Sequence, residues 1–383
     1  MRRILSLDGG GIGGLFTLQV LARIQQLFRL ERGRPDLVLR EVFDFFAGTS
    51  TGAIIATALA WGMTVEAIES LYLDNGAAMF AKQGWHRRWW GWYRSDTLAA
   101  LFRREFCEDT PDRPPALLGT RKLWIDDTTP RYLLVVIRNA STGSPWPITN
   151  NPEAIYNDPA RADCNLQIPL WKLLRASTAA PTYFAPAAID LGHETHIFVD
   201  GGITPFNNPA LIAILTATLP CYRIQWPTGP DRLLVVSVGT CLERIRFAKT
   251  EVKDIHYLDQ ARHVAPALLS SISQEQDMLC RLLGDPLFGA PIDSEMGDLT
   301  GSTLLGRAER KFGYVRYNRE VTRAEAEQLR LRTRQSFTLD NVGVMPFLKE
   351  IGQQYAEATV RREHLGLSPN AEAVADRSSA LHS

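Results

Sequence analysis

The chain has 383 residues, 45% of them hydrophobic, enough for one large or two ordinary domains around a buried core. Lys plus Arg and Asp plus Glu balance at 42 each, so no global field favours nucleic acid or an anionic membrane, and no DNA or RNA partner is expected. The five scattered cysteines, Cys107, Cys164, Cys221, Cys241 and Cys280, never fall in C-x-x-C spacing; they argue against a disulfide framework or a zinc site and fit a reducing cytosol.

Arg3 to Leu7 reads as a short apolar strand. It opens onto Asp8 and then five glycines in the six positions from Gly9 to Gly14, with Ile12 among them. Leu18, Leu21, Ile24 and Phe28 recur at helical spacing until Gly33 and Pro35 stop the helix. Gly9-x-Gly11-x-x-Gly14 is formally a dinucleotide fingerprint, but a bare loop at a strand end could equally cradle a phosphate or an oxyanion. Ser6 and Asp8 break the first apolar run too early for a signal-peptide core, so secretion is not expected.

Val42 to Ala47 reads as a second strand, and Ala53 to Trp61 as a helix apolar on all sides and hence buried on all sides. Phe45 to Val65 carries no charge, and about 20 apolar residues suffice to cross a bilayer. The polar turn Gly48-Thr49-Ser50-Thr51-Gly52 lies inside it, so it reads instead as buried strand, tight turn and buried helix. That turn is the only G-x-S-x-G in the chain. Between strand and helix its glycines permit a strained elbow that lifts the Ser50 hydroxyl out of the fold, with the next amide facing the same space. Ser50 is therefore the candidate nucleophile; the alternative is a serine N-cap. A dinucleotide site needs a ribose-binding acid at the tip of this strand, and the serine turn occupies that place.

Residues 84 to 94, GWHRRWWGWYR, mix four tryptophans and a tyrosine with three arginines, a composition suited to a lipid headgroup interface. Trp89, Trp90 and Trp92 are the candidate membrane contacts; the alternative is that the rings pack against a helical cap. Further strands are expected at 131–139, 195–202 and 232–240, with loops at 111–115 and 141–152. Strands alternating with helices imply an α/β fold with a mainly parallel sheet covered on both faces.

A serine nucleophile needs a base. The seven histidines are His86, His193, His196, His256, His263, His364 and His382, and none sits in a glycine turn at a strand tip. Asp200, in FVDGG, does: it ends an apolar strand and has two glycines beyond it. Apolar neighbours raise the proton affinity of such a carboxylate toward a useful range; the alternative is an Asx turn. Cys241 to Leu283, mixed basic and apolar, is the candidate regulatory or oligomer surface. Thr322 with Glu325 has capping-box spacing, and Leu348, Ile351, Gly352 and Tyr355 give a second helix an apolar stripe. Residues 321–365 therefore read as a C-terminal helical appendage and 366–383 as a loose tail.

Asp8-Gly9-Gly10-Gly11, Gly48-Thr49-Ser50-Thr51-Gly52 and Asp200-Gly201-Gly202 stand in the order and form found in patatin-like phospholipases, and the chain resembles that family. RASTAAPTYFAP (175–186), NNPA (207–210), VVSVGT (235–240) and YVRYN (314–318) extend the resemblance over residues 1–320, the expected catalytic domain. The resemblance implies a three-layer α/β/α sandwich and a Ser-Asp dyad that cleaves acyl esters with no metal, no cofactor and no histidine. On that pattern Ser50 is the nucleophile, Asp200 the base, and the amides of Gly9, Gly10 and Gly11 form the oxyanion hole. Gly48, Thr51 and Gly52 shape the elbow. Many relatives carry a basic residue two places after the third glycine, where this chain has Gly13.

The expected function is lipid acyl hydrolysis, performed from the cytoplasm on phospholipids at the inner membrane face. Bacterial relatives of this length include antiphage effectors switched on by cyclic oligonucleotides, so a cyclic-nucleotide activator and a homo-oligomer are further expectations. The competing readings are a constitutive esterase or lipase, and an α/β-hydrolase triad using His193, His196, His256 or His263.

Overall fold

A computed structural model describes residues 1–79, 95–241, 257–301, 309–335, 338 and 340–368. The first half of the chain supplies β1 (Arg2–Leu7), α1 (Gly14–Arg32), β2 (Phe45–Thr49), α2 (Thr51–Trp61), α3 (Val65–Met79) and α4 (Ser95–Glu105). Next come β3 (Tyr132–Asn139), β4 (Ser144–Thr149), α5 (Leu170–Ser177), β5 (Ala187–Leu191), β6 (Glu194–Asp200) and α6 (Ala210–Thr218). The last third holds β7 (Leu233–Val238), α7 (Tyr257–Leu283), β8 (Asp285–Phe288), β9 (Gly313–Tyr317), α8 (Arg323–Thr333) and α9 (Met345–Thr359).

Among the described residues all the strands join one sheet. β3, β2, β1, β7, β9 and β8 run parallel in that order, while β4, β5 and β6 pair antiparallel at the β3 end. Neighbouring residues of one strand bury on opposite faces. Leu5, Phe46, Val135 and Val236 join α1, α2, α5 and α9 in one apolar cluster. Ile4, Phe45, Leu134 and Val235 join α6 in the other. Two buried faces explain why the central strands are continuously apolar rather than alternating. The result is the three-layer α/β/α architecture with added C-terminal helices.

Two sequence expectations shift. The second strand begins at Phe45 rather than Val42, because Leu39–Glu41 forms a 3-10 turn and the register pairs Ile4 with Phe45. The segment 141–152, expected as a loop, contains β4. β4 contains Pro145 and Pro147, but it pairs with β3 alone, and an edge strand tolerates residues without an N–H.

Phe45 to Val65 folds as β2, a turn, α2 and the start of α3, and no helix among the described residues is long and apolar enough to cross a membrane. Trp89, Trp90 and Trp92 lie outside the described residues, as do 242–256 of the expected regulatory surface. The rest of that surface is α7, packed against α6 and the turn after Asp200. α9 lies along α1 through Gly352, where a Cβ would stand 2.9 Å from Gln19 Cγ, and Phe16 meets Tyr355 at 5.2 Å between ring centroids. Leu348, Ile351, Ala356 and Val360 belong to the same apolar cluster as α1. The capping box of Thr322 and Glu325 starts α8.

Candidate active site

β3 explains why two residues 150 positions apart touch. On one side it is covered by β4 from Leu134 to Asn139. On the other, β2 runs parallel along Tyr132 to Val136 and stops at Thr49, while β6 arrives antiparallel along Asn139 to Ile137 and stops at Asp200. The two strands meet head-on, with Thr49 opposite Val136 and Asp200 opposite Ile137. Ser50 is the next residue after the first of these ends.

Ser50 turns at φ 53° and ψ −121°, a conformation costly to a residue with a Cβ. Close packing demands the turn: a Cβ on Gly48 would stand 2.2 Å from Gly52 O, and one on Gly52 would stand 2.2 Å from Leu7 O. The Ser50 side chain makes no capping bond to α2. Its N–H donates to Ser177 Oγ at 2.9 Å, and Ser177 in turn donates to the Val136 carbonyl at 2.7 Å. The elbow is thus tied to β3, the strand against which β6 also brings Asp200. From the other flank, Tyr72 of α3 shares a short hydrogen bond with Thr51 Oγ1.

Ser50 Oγ donates to Asp200 Oδ2 at 2.7 Å, and the Gly202 N–H donates to Asp200 Oδ1 at 2.6 Å. Asp200 is 5% exposed. Burial pushes its pKa up to about 6, against the opposing pull of the Ser50 and Gly202 hydrogen bonds and the Arg175 charge. Such a carboxyl is mostly ionised at neutral pH yet holds a proton more tightly than a solvated aspartate, which suits a general base. Among the residues whose side chains are described, no histidine hydrogen-bonds to Ser50 or Asp200. His193 and His196 lie at the β5–β6 hairpin, and His364 pairs with Tyr317. No cluster of His, Cys, Asp and Glu among the described residues could hold a metal ion.

The glycine loop lies beside the elbow: a Cβ on Gly9 would be 3.3 Å from Ser50 Cβ. Of the three amides that the resemblance implied, one is engaged within the fold. Gly9 N–H donates to the Asn207 carbonyl at 3.1 Å, so it is turned away from an oxyanion. The amides of Gly10 and Gly11, at the start of the 3-10 turn Gly11–Gly13, have no acceptor among the described residues. Gly13 also has a reason. A Cβ there would stand 2.2 Å from the Thr240 carbonyl oxygen, and one on Gly10 would stand 2.1 Å from Thr240 Oγ1. Thr240 fills the space into which a basic side chain would start.

The loop is braced from the far side of the sheet. Arg316 of β9 grips Asp8 with both nitrogens, at 2.8 Å and 2.6 Å, and donates to Ser237 Oγ at 2.7 Å. Both partners are 4% exposed, and the Asp8 carboxylate holds the guanidinium protonated. Removing one partner of such a buried pair costs about 3–5 kcal/mol. Thr240 Oγ1 donates to Gly9 O, and Asn207 Nδ2 donates to Ser273 Oγ. Ser177, Asn207, Thr240 and Arg316 had no assigned role in the sequence. The signal for Arg316 was present, an arginine inside the otherwise apolar strand YVRYN, since buried arginines are almost always paired.

Fold and site together define a three-layer α/β/α protein with a serine and a buried carboxylate at the carboxyl end of its parallel strands. The Patatin-like phospholipase family model matches residues 5–214, and the chain belongs to that family. It is 30% identical over 216 residues to a cGAMP-activated phospholipase of Escherichia coli (strain TW11681), covering 56% of this chain and 55% of that protein. A cGAMP-activated phospholipase of Vibrio cholerae is 32% identical over 216 residues, covering 55% of this chain and 56% of that protein. Calcium-independent phospholipase A2-gamma of Rattus norvegicus is 29% identical over 252 residues, covering 62% of this chain and 28% of that protein. The chain thus matches little more than half the length of the two bacterial relatives.

Proposed function

We propose that the chain is a serine acyl hydrolase that releases fatty acids from membrane phospholipids with Ser50 and Asp200 as its dyad. The observation that carries this reading is the 2.7 Å hydrogen bond from Ser50 Oγ, at a positive-φ elbow, to a buried carboxylate. Asp200 takes the Ser50 proton as Oγ attacks the ester carbonyl, and the Gly10 and Gly11 amides hold the oxyanion. The tetrahedral adduct collapses, and the lysolipid oxygen leaves with the proton from Asp200. Asp200 then deprotonates a water that attacks the acyl-serine; the fatty acid departs and Ser50 Oγ regains its proton. Residues 1–320 serve as the catalytic domain and 321–365 as a helical appendage to it. The enzyme works from the cytoplasm at the inner membrane face.

A second layer, control by a cyclic nucleotide in antiviral defence, is favoured by the similarity to two bacterial cGAMP-activated phospholipases. One assay addresses both layers: fatty-acid release from phospholipid vesicles by wild type and Ser50→Ala, with and without cyclic GMP–AMP. Ser50→Ala is expected to lose at least about a thousandfold in rate, and the nucleotide to raise the wild-type rate. Release by Ser50→Ala at the wild-type rate overturns the dyad. A rate indifferent to the nucleotide leaves a constitutive enzyme.

A further inference from the structure

A cavity of about 410 Å³ opens between α4, α5 and the start of β5, lined by Ser95, Asp96, Arg103, Trp171, Lys172 and Arg175 among others. Ala187, the first residue of β5, pairs with Phe198, two positions before Asp200, so the cavity lies at the dyad's end of the sheet. Arg175 is 6% exposed; its Nη2 donates to Ser95 Oγ and to the Ala185 carbonyl, while its Nη1 has no partner. A buried donor left unpaired costs about 1–3 kcal/mol, so it points to an acceptor that the protein itself does not supply.

The other polar groups sort by charge. Arg103 stacks on Trp171, 3.7 Å from the ring centroid, and has no carboxylate partner among the described residues. Stacking pre-orients its planar fork for phosphate. Lys172 is already paired, 3.5 Å from Asp190. Ser95 and Asp96 bring α4 to the cavity. Asp96 makes no direct ion pair among the described residues, although its charge acts on Arg175, so the same space also offers one carboxylate. Two guanidiniums beside a single carboxylate match a ligand that carries both an anion and a cation.

We propose that this cavity is a headgroup subsite for a phosphodiester bearing a primary amine, with the phosphate on Arg103 and Arg175 and the ammonium on Asp96. The proposal rests on the phospholipid hydrolase reading and names its substrate class. It also couples binding to chemistry. The Arg175 charge pulls the Asp200 pKa down, and a phosphate that neutralises this charge strengthens the base when substrate is seated.

The test is calorimetric titration of the full chain with glycerophosphoethanolamine, glycerophosphoglycerol and inorganic phosphate. Glycerophosphoethanolamine is expected to bind best, Arg103→Ala to weaken it at least about tenfold, and Asp96→Asn to erase its advantage over glycerophosphoglycerol. Arg121→Ala, which removes an arginine stacked on Trp124 elsewhere, should leave the titration unchanged. No binding, inorganic phosphate binding as tightly as glycerophosphoethanolamine, or indifference to Arg103→Ala would overturn the subsite. Hydrolysis of a soluble nitrophenyl ester by the same preparation separates the two ideas. Turnover without headgroup binding removes the subsite alone, and headgroup binding without turnover removes the hydrolase reading.

Discussion

At the scale of single residues, Asp200 as the proposed base should decide the pH at which the site can work. Burial raises its pKa to about 6, and a base must be ionised, so kcat/KM on a soluble ester should rise with pH through about 6. Below that it should fall about tenfold per pH unit. A rate profile from about pH 4.5 to about pH 8 checks this, and an acid limb near the ordinary carboxylate value would remove Asp200 as the base. Ser50 and Asp200 could be singled out in the sequence because each is flagged by glycines at a strand end, a local signal. The partner of Gly9 could not. Its N–H points to a carbonyl 198 positions away, and no local pattern announces that. Ser177 was hidden likewise, since its role depends on where Val136 brings β2 and β6 together.

At the scale of elements, the tips of β1, β2 and β7 crowd into one place, and glycine is what lets them do so. Thr240, just beyond β7, sits against Gly10 and Gly13, and at Gly13 the clashing atom is backbone that cannot swing aside. Gly13→Ala should therefore destabilise the protein by about 2 kcal/mol or more, the usual scale of overpacking, and lower Tm in a thermal melt. An unchanged Tm would mean that the loop has slack and could accept the basic residue that many relatives carry. Most elements were legible from apolar runs and turn residues. The misplaced ones failed for physical reasons: β4 hides two prolines on a sheet edge, and the start of β2 is set by its register with β1 rather than by its own apolar run.

At the scale of the whole molecule, the site is assembled from both ends of the chain. Residues 5–214 match the family, yet Ser237, Thr240 and Arg316, which brace the glycine loop, come later. Arg316 reaches Asp8 across 308 positions, and α9 closes over α1, the helix that follows the loop. The sequence suggested a helical appendage packed on the catalytic domain after residue 320, and Leu348, Ile351 and Val360 of the C-terminal segment pack into the cluster that holds α1. Integration of this kind makes the whole chain the right object for the decisive experiment. Wild type and Asp200→Asn should be treated with an alkyl fluorophosphonate near neutral pH and followed by intact mass and peptide mapping. A single adduct on Ser50, forming at least about a hundredfold more slowly in Asp200→Asn, is the predicted result. An adduct on another residue, or a labelling rate indifferent to Asp200→Asn, would contradict the dyad.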